Sequence, residues 1–316
     1  LEKEPSVQTA ARNEIIEAGI KPVCEPAFLS AVIRGCGAVL LTTSGFGLTI
    51  TNENRGLALL CQNIIKRRYG AQTLVEQIAK NIGMRELAEY RLSLANADKL
   101  LNECGIIKGY DFIRGIPKTI ISRSSEKKAY LKGVFLSCGS LSTPKDKLTG
   151  GGTGYHLEFA LNSELVVDDF MELLTEVCDF QEGVARRRKK QPSVYIKSSQ
   201  NISDCLAAMG ASKGVIQLQE VMATRAMRNH LNRGNNFILA NIDKSVSAAQ
   251  QQLNAIKKIE KHIGLQNIDE KLAETAVYRK DHPDASLAEL AALMQEGTKS
   301  RINHRMRKLI EIAKNL

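Results

Sequence analysis

The sequence predicts an α+β protein: a duplicated αββαββα domain followed by an all-α C-terminal unit. Three observations carry this. Residues Phe28 to Val39 read FLSAVIRGCGAV and Tyr130 to Leu141 read YLKGVFLSCGSL, two apolar helical segments with small residues four apart, each ending in Cys-Gly. The segments that follow each of them repeat the same order of strand, helix, hairpin and short helix. From Ala211 the pattern changes to nearly continuous helix and closes on the basic stretch KSRINHRMRKLIEIAKNL.

After the first segment come a loop (TTSGFG), a strand at Leu48 to Thr51, and the helix NRGLALLCQNIIKRRYG. After the second come a longer loop (KDKLTGGGTG), the strand HLEFAL and the helix SELVVDDFMELLTEV. The strand is read from alternation at Leu157, Phe159 and Leu161. The helix is read from apolar residues three and four apart at Leu165, Phe170, Leu173, Leu174 and Val177. Each half then offers a second pairing of strand and short helix, EYRLSL with NADKLLNECG against SVYIKS with SQNISDCLAAMG. Tyr90 and Tyr195, Leu101 and Leu206, and Gly105 and Gly210 hold one offset. Self-similarity at a period near a hundred residues indicates a duplicated domain rather than a solenoid.

In the repeated helices, Ala31 with Gly35 and Gly133 with Ser137 place two small side chains one turn apart on a face. Such a face lets two backbones approach closely. The two helices, one per half, are expected to cross at a pseudo-two-fold axis; two ordinary core helices with incidental glycines is the alternative.

Composition limits the functions to consider. With 316 residues and 43% hydrophobic content, the chain can bury more than one core. No apolar run approaches the roughly 20 residues of a membrane span, and the opening LEKEPSVQTAARNEII lacks the basic-then-apolar order of a signal peptide. Seven cysteines without a CxxC pair, several of them inside apolar helical runs, read as small buried hydrophobes in a reducing cytoplasm. Five scattered histidines give no metal spacing. A net charge of +10 favours an anionic partner. With no Trp and 5% aromatics a stacking platform for single strands is not expected, which leaves duplex DNA.

The tail carries the clearest functional pattern. Val246, Ala249, Leu253, Ile256, Ile259 and Ile263 form a helical stripe with Gly264 as its stop. The Asn- and Arg-rich MRNHLNRGNNFILANIDKSV is read as a connector. A helix over about Ile268 to Lys280 breaks at Asp281-His-Pro-Asp. Ser286 with Glu289 forms a capping box, with Leu287, Leu290, Ala291 and Met294 on one face. Gln295-Glu-Gly297 turns the chain, and Thr298 is placed to cap a last helix. Ile302, Met306, Leu309, Ile310 and Ala313 of that helix face inward, while Lys299, Arg301, His304, Arg305, Arg307 and Lys308 face out. Helix, Gly-containing turn and basic helix is the helix-turn-helix order. Thr298, Lys299, Ser300, Arg301 and Asn303 lie where a recognition helix reaches base edges. Arg305, Arg307 and Lys308 lie where phosphate contact is the default. The competing reading is a three-helix bundle with a charged surface.

Domain limits follow: residues 1–210 for the duplicated domain, with halves at about 25–110 and 127–210, then a helical linker at 211–264 and the helix-turn-helix unit at 265–316. Lys145, Lys147, Arg186, Arg187, Arg188, Lys189 and Lys190 lie on or beside the second half's hairpins. They are either secondary phosphate contacts or a charged edge that blocks strand pairing. The loop KLTGGGTG lacks the Gly-Lys-Ser/Thr ending of a phosphate loop and leads into a strand, so a hairpin loop is expected.

The repeat resembles the LAGLIDADG homing-endonuclease fold, whose signature helix ends in an acid followed by Gly. Leu131 to Gly139 falls on the second signature and Leu29 to Gly37 on the first. The resemblance implies helices packed at the interface of the halves, saddle-shaped sheets facing DNA, and final acids holding metal ions. Here Cys36 and Cys138 occupy the acid positions and neither signature contains Asp or Glu. Mg²⁺ is a hard ion that thiols serve poorly, so no metal, no cofactor and no catalysis are expected. With the tail included, through YLKGVFLSCGS, YHLEFALNSE, MRNHLNR, HPDASLAELAALM and INHRMRKLIEIA, the chain resembles the WhiA family of bacterial regulators. The chain departs from that family's pattern at Asn236 to Leu239, where Cys, Glu or Thr is expected. Membership implies transcriptional regulation in sporulation, cell division and chromosome segregation. It further implies promoter DNA as partner, with RNA polymerase or another transcription factor, and a nucleoid location. An active endonuclease and a scaffold for division proteins are the alternatives.

Overall fold

The computed structural model describes residues 5–43, 45–82, 85–144, 154–181, 183–187, 192–295 and 298–316, with backbone alone at 80–82 and 85–87. The chain forms two compact units, Leu1–Thr224 and Arg225–Leu316. Among the described residues no helix is long and apolar enough to cross a membrane.

The first unit opens with α1 (Val7–Ala18), which sequence reasoning did not separate from the charged start. Ser6 caps it by accepting from the Thr9 N–H, and Val7, Ala10, Ala11 and Ile15 form its buried face. The first half then runs α2 (Glu25–Cys36), β1 (Gly37–Thr42), β2 (Gly45–Asn52), α3 (Arg55–Tyr69), β3 (Leu74–Ile82), β4 (Arg85–Leu94) and α4 (Asp98–Glu103). A two-residue hairpin pair, β5 (Ile107–Lys108) and β6 (Asp111–Phe112), leads out of it. The second half repeats the order: α5 (Ser124–Cys138), β7 (Gly139–Ser142), β8 (His156–Ala160), α6 (Glu164–Cys178), β9 (Arg186–Arg187), β10 (Ser193–Ile196) and α7 (Ser199–Ala208). The predicted αββαββα duplication is borne out, and the two antiparallel sheets share one strand order, β1-β2-β4-β3 and β7-β8-β10-β9.

Equivalent residues do equivalent work. Gly37 pairs with Ile50 and Gly139 with Phe159, so each signature helix feeds its sheet in the same register. Asn54 caps α3 through the Gly56 N–H and Ser163 caps α6 through the Leu165 N–H. Phe46, Leu48, Ile50, Leu92 and Leu94 of the first sheet, and Leu157, Phe159, Val194 and Ile196 of the second, point into one continuous core. Phe159 meets Phe170 of α6 edge-on, with ring centroids 5.1 Å apart.

One helix, α8 (Ser212–His262), passes through both units. The Asn-rich stretch read from sequence as a connector is helical throughout. Asn and Gly are weak helix formers, but no Pro interrupts the segment, and propagation from formed helix costs far less than nucleation. The units divide inside this helix, between Thr224 and Arg225, rather than at residues 210 and 264. Gly264 does end the helix, at φ 80°, yet Ala255, Ile256 and Ile259 upstream of it are already part of the C-terminal core. That core also holds Leu272 and Ala276 of α9 (Glu270–Asp281), Leu290 and Ala291 of α10 (Leu287–Leu293), and Ile302, Met306, Leu309 and Ala313 of α11 (Lys299–Lys314).

Candidate nucleic-acid interface and the signature-helix crossing

The two signature helices α2 and α5 meet as their small residues require. A Cβ on Gly133 would lie 2.6 Å from the Phe28 carbonyl oxygen and 2.7 Å from the Ala31 Cβ; one on Gly35 would lie 2.8 Å from the Ser137 Cβ. Ala31 faces Gly133 and Gly35 faces Ser137, which pairs each residue with its own repeat equivalent, as a pseudo-two-fold axis demands. Ser137 turns its hydroxyl back to the Gly133 carbonyl at 2.8 Å and so keeps the crossing free of an unpaired donor.

The helix ends at this crossing are held by neutral and cationic groups. The Asn52 amide of the first half donates to the Ser137 carbonyl at 3.0 Å. The Asn162 amide of the second half donates to the Gly35 carbonyl at 3.0 Å and the Arg34 carbonyl at 3.2 Å. Arg12 of α1 donates to the Gly139 carbonyl at 2.7 Å. Cys138 donates its thiol to the Val134 carbonyl at 3.4 Å.

Burial pushes the Cys36 thiol up to about 12, with the neighbouring Cys138 adding to the rise and an Asn52 hydrogen bond opposing it. Burial pushes Cys138 up to about 11, opposed by Ser137 and by the Arg12 cation. At neutral pH both sulfurs are protonated, so neither is an anionic ligand. Among the described residues no group of three His, Cys, Asp or Glu side chains could hold a metal ion. Two neutral thiols beside a fixed guanidinium do not fit the hard, doubly charged ion that a homing-endonuclease site would hold.

The helix-turn-helix is built as its sequence suggests, with three differences. Ser286 and Glu289 form the expected capping box at 3.2 and 2.7 Å, which holds the Glu289 carboxyl below its ordinary range. Leu290, Ala291 and Met294 seat α10 on α11. Gln295 turns the chain at φ 54°, while Glu296 and Gly297 lie outside the described residues. The first difference is Thr298, which occupies the N-cap position of α11 without a side-chain capping bond. The second is Arg305, which is half-buried and donates to the Thr275 hydroxyl of α9 at 3.3 Å, so it braces the bundle as well as facing outward. The third is Arg279, which sequence reasoning missed. It is 2% exposed and donates to the His282, Pro283 and Ala285 carbonyls. Its Pro-containing turn gave the only signal, since a loop that cannot pair its own carbonyls needs a donor from elsewhere.

What remains outward on α11 is one-sided. Lys299, Ser300, Arg301, His304, Arg307 and Lys308 are exposed, Asn303 is half-buried, and the cations among them make no ion pair with the described residues. Of the secondary basic residues, Arg186 and Arg187 are among the described ones. Arg187 bonds Glu164 and Asp168 of α6, the latter at 3.2 Å, so its charge is spent within the second half. Arg186 is exposed and donates to the Gly183 carbonyl at 3.2 Å. Lys145, Lys147, Arg188, Lys189 and Lys190, with most of the KLTGGGTG loop, lie outside the described residues.

Residues 127–228 match the family of the WhiA LAGLIDADG-like domain and residues 231–313 that of the WhiA C-terminal HTH domain. The probable cell division protein WhiA of Shouchella clausii (strain KSM-K16) is 34% identical over 97% of this chain and 93% of its own. That of Staphylococcus aureus (strain USA300) is 32% identical over 98% and 96%. The crystal structure of full-length DUF199/WhiA from Thermatoga maritima superposes with a TM-score of 0.55 at 21% identity, over 99% of each chain. The class is therefore a composite: a degenerate LAGLIDADG-like fold joined to a helix-turn-helix unit. Within that class, the chain belongs to the WhiA family.

Proposed function

We propose that this protein is a sequence-specific DNA-binding transcription regulator whose LAGLIDADG-like unit is a non-catalytic scaffold. The observation that carries this is the uncompensated basic face of α11, whose first turn offers Arg301 to base edges and whose later turns offer Arg307 and Lys308 to phosphates. The protonated thiols at positions 36 and 138 support the absence of cleavage. The relatives' name supports cell division as the regulated process, and the family resemblance extends it to sporulation and chromosome segregation. Such a regulator works in the cytoplasm on the nucleoid, at promoter sites, with RNA polymerase or another transcription factor as its protein partner.

Selection of bound sequences from random duplexes tests the reading. A recurrent motif, bound with a steep salt dependence, supports it; uniform binding to all duplexes overturns it. Plasmid incubated with Mg²⁺ or Mn²⁺ is expected to stay supercoiled. Nicking that disappears in Cys138→Ala would show that the scaffold is an enzyme after all.

A further inference from the structure

The pseudo-two-fold axis gives the two halves equivalent flanks, and these are covered differently. On one flank α1 lies along the outer edge of β7. Gln8 accepts from the Leu141 N–H at 2.7 Å, and Arg12 donates to the Gly139 carbonyl at 2.7 Å. Ile16 packs on the first turn of α3, where a Cβ on Gly56 would lie 3.1 Å from the Ile16 Cδ1. Gly37, Val39 and Leu165 are the repeat equivalents of Gly139, Leu141 and Gly56. Their cover is the short strap at residues 113–116, which Asp169 of α6 holds by accepting from the Ile116 N–H at 2.7 Å. The strap leaves a cavity of about 310 Å³ that Gly37, Val39 and Leu165 line.

The open flank offers what α1 satisfies on the covered one. β1 and β7 are both edge strands. Their shared register turns the Gly37 carbonyl and Val39 N–H outward, as it does those of Gly139 and Leu141. Leu165 is 56% exposed at the point where Ile16 covers Gly56, and Ile33, Ile106, Ile113 and Val166 add apolar walls. The charge is reversed. On the covered flank α1 brings a cation, Arg12, to Glu53 at 3.3 Å. The open flank already holds two cations, Arg34 and Arg114, and no Asp or Glu lines it. Arg34 donates to the Gly105 carbonyl at 2.7 Å and the Ile113 carbonyl at 3.4 Å, but its Nε–H is buried without a partner. Burial lowers its pKa from the ordinary arginine value. Neither Arg34 nor the exposed Arg114 makes an ion pair with the described residues, and a half-buried cation without a counter-charge favours an occupant that supplies one.

We propose that this flank is a docking groove for a short acidic amphipathic helix of a protein partner, which lies along β1 as α1 lies along β7. Its apolar face meets Leu165 and the cavity walls, and an Asp or Glu beside that face meets Arg34 and Arg114. The cavity takes side chains from one face of such a helix, with the helix axis along its rim. The proposal stands on the unequal flanks and is independent of the DNA-binding reading.

Selection on the full chain from a displayed library of helices of the length of α1 tests it. The recovered helices are expected to carry one apolar face with Asp or Glu beside it. Their affinity, read by fluorescence anisotropy, is expected to fall at least about tenfold in Leu165→Asp and in Arg114→Glu. Both residues are exposed, so thermal unfolding of each variant should match wild type and separate a lost contact from a lost fold. Repeating the selection on Arg114→Glu is expected to recover Lys or Arg in place of the acid. Inorganic phosphate and a random-sequence duplex, at matched ionic strength, are expected to leave the bound helix in place. A library that yields no binder, binders without acids, or binders indifferent to both substitutions would overturn the proposal. So would displacement by phosphate or by the duplex, which would make the flank a site for anions or for DNA.

Discussion

Replacing Gly133 by Ala adds a single methyl group at the closest approach of α2 and α5. Its carbon would sit 2.6 Å from the Phe28 carbonyl oxygen and 2.7 Å from the Ala31 Cβ, both rigid parts of the facing helix. Neither neighbour has a side-chain torsion by which to retreat, so the helices must separate by several tenths of an ångström along a core that runs through both halves. Overpacking of this kind costs about 1–3 kcal/mol. Ala returns up to about 1 kcal/mol of helix propensity over Gly. With two contacts this short, both in the opposed helix, the upper end of the range applies, and the net loss is about 1–2 kcal/mol. For a unit of this size that lowers the melting temperature by about 2–8 °C. Adding Ala31→Gly removes the contact with the Ala31 Cβ but leaves the one with the Phe28 carbonyl, so the double variant should recover some of the loss. Thermal unfolding of the two single variants and the double variant measures the coupling. A Gly133→Ala protein that melts at or above wild type would show that the helices are not in close contact there.

Four further outcomes follow from the same structure. Arg301→Ala should cost about 1–3 kcal/mol on a selected duplex and relax preference at one or two base pairs, read by titration against selected and scrambled sites. Lys308→Ala should weaken binding to both duplexes alike and make the salt slope shallower by about one unit; if Arg301→Ala keeps full discrimination, α11 is not the reader. Stability of the first unit should fall as pH rises from about 9 towards 11–12, because the Cys36 and Cys138 thiols ionise near 9.0 when unfolded and only at about 12 and 11 when folded. Cys36→Ala/Cys138→Ala should flatten that limb of the urea-stability profile. Arg279→Met should cost at least about 2 kcal/mol by stranding the carbonyls of the loop after α9, with C-terminal melting unchanged from wild type as the contrary result.

Much of this was legible because the repeat states it twice. Cys36 and Cys138, Gly37 and Gly139, and the helices opening near Asn54 and Ser163 sit at matching points of matching patterns, so each half corroborates the other. The capping box at Ser286 and the inward stripe of α11 were legible because both depend on residues three or four apart. Features that depend on distant partners were not. Arg12 reaches the Gly139 carbonyl, Arg187 turns to α6 and Arg305 turns to α9. In sequence a paired arginine and a solvent-facing one look alike. The length of α8 was hidden for another reason: its Asn and Gly content argues locally for a turn, and only helix on both sides carries it through.

The arginine beside Cys138 has a consequence for any attempt to place a metal site at the ends of the signature helices. Arg12 comes from α1, outside either repeat; it pairs with Glu53 at 3.3 Å, donates to the Gly139 carbonyl and lies beside Cys138. Placing acids at positions 36 and 138 would not by itself create a metal centre, because the carboxylate at 138 would share the Arg12 guanidinium with Glu53. Changes at positions 36 and 138 alone would leave that guanidinium in place, so a metal site there would require a change in α1 as well.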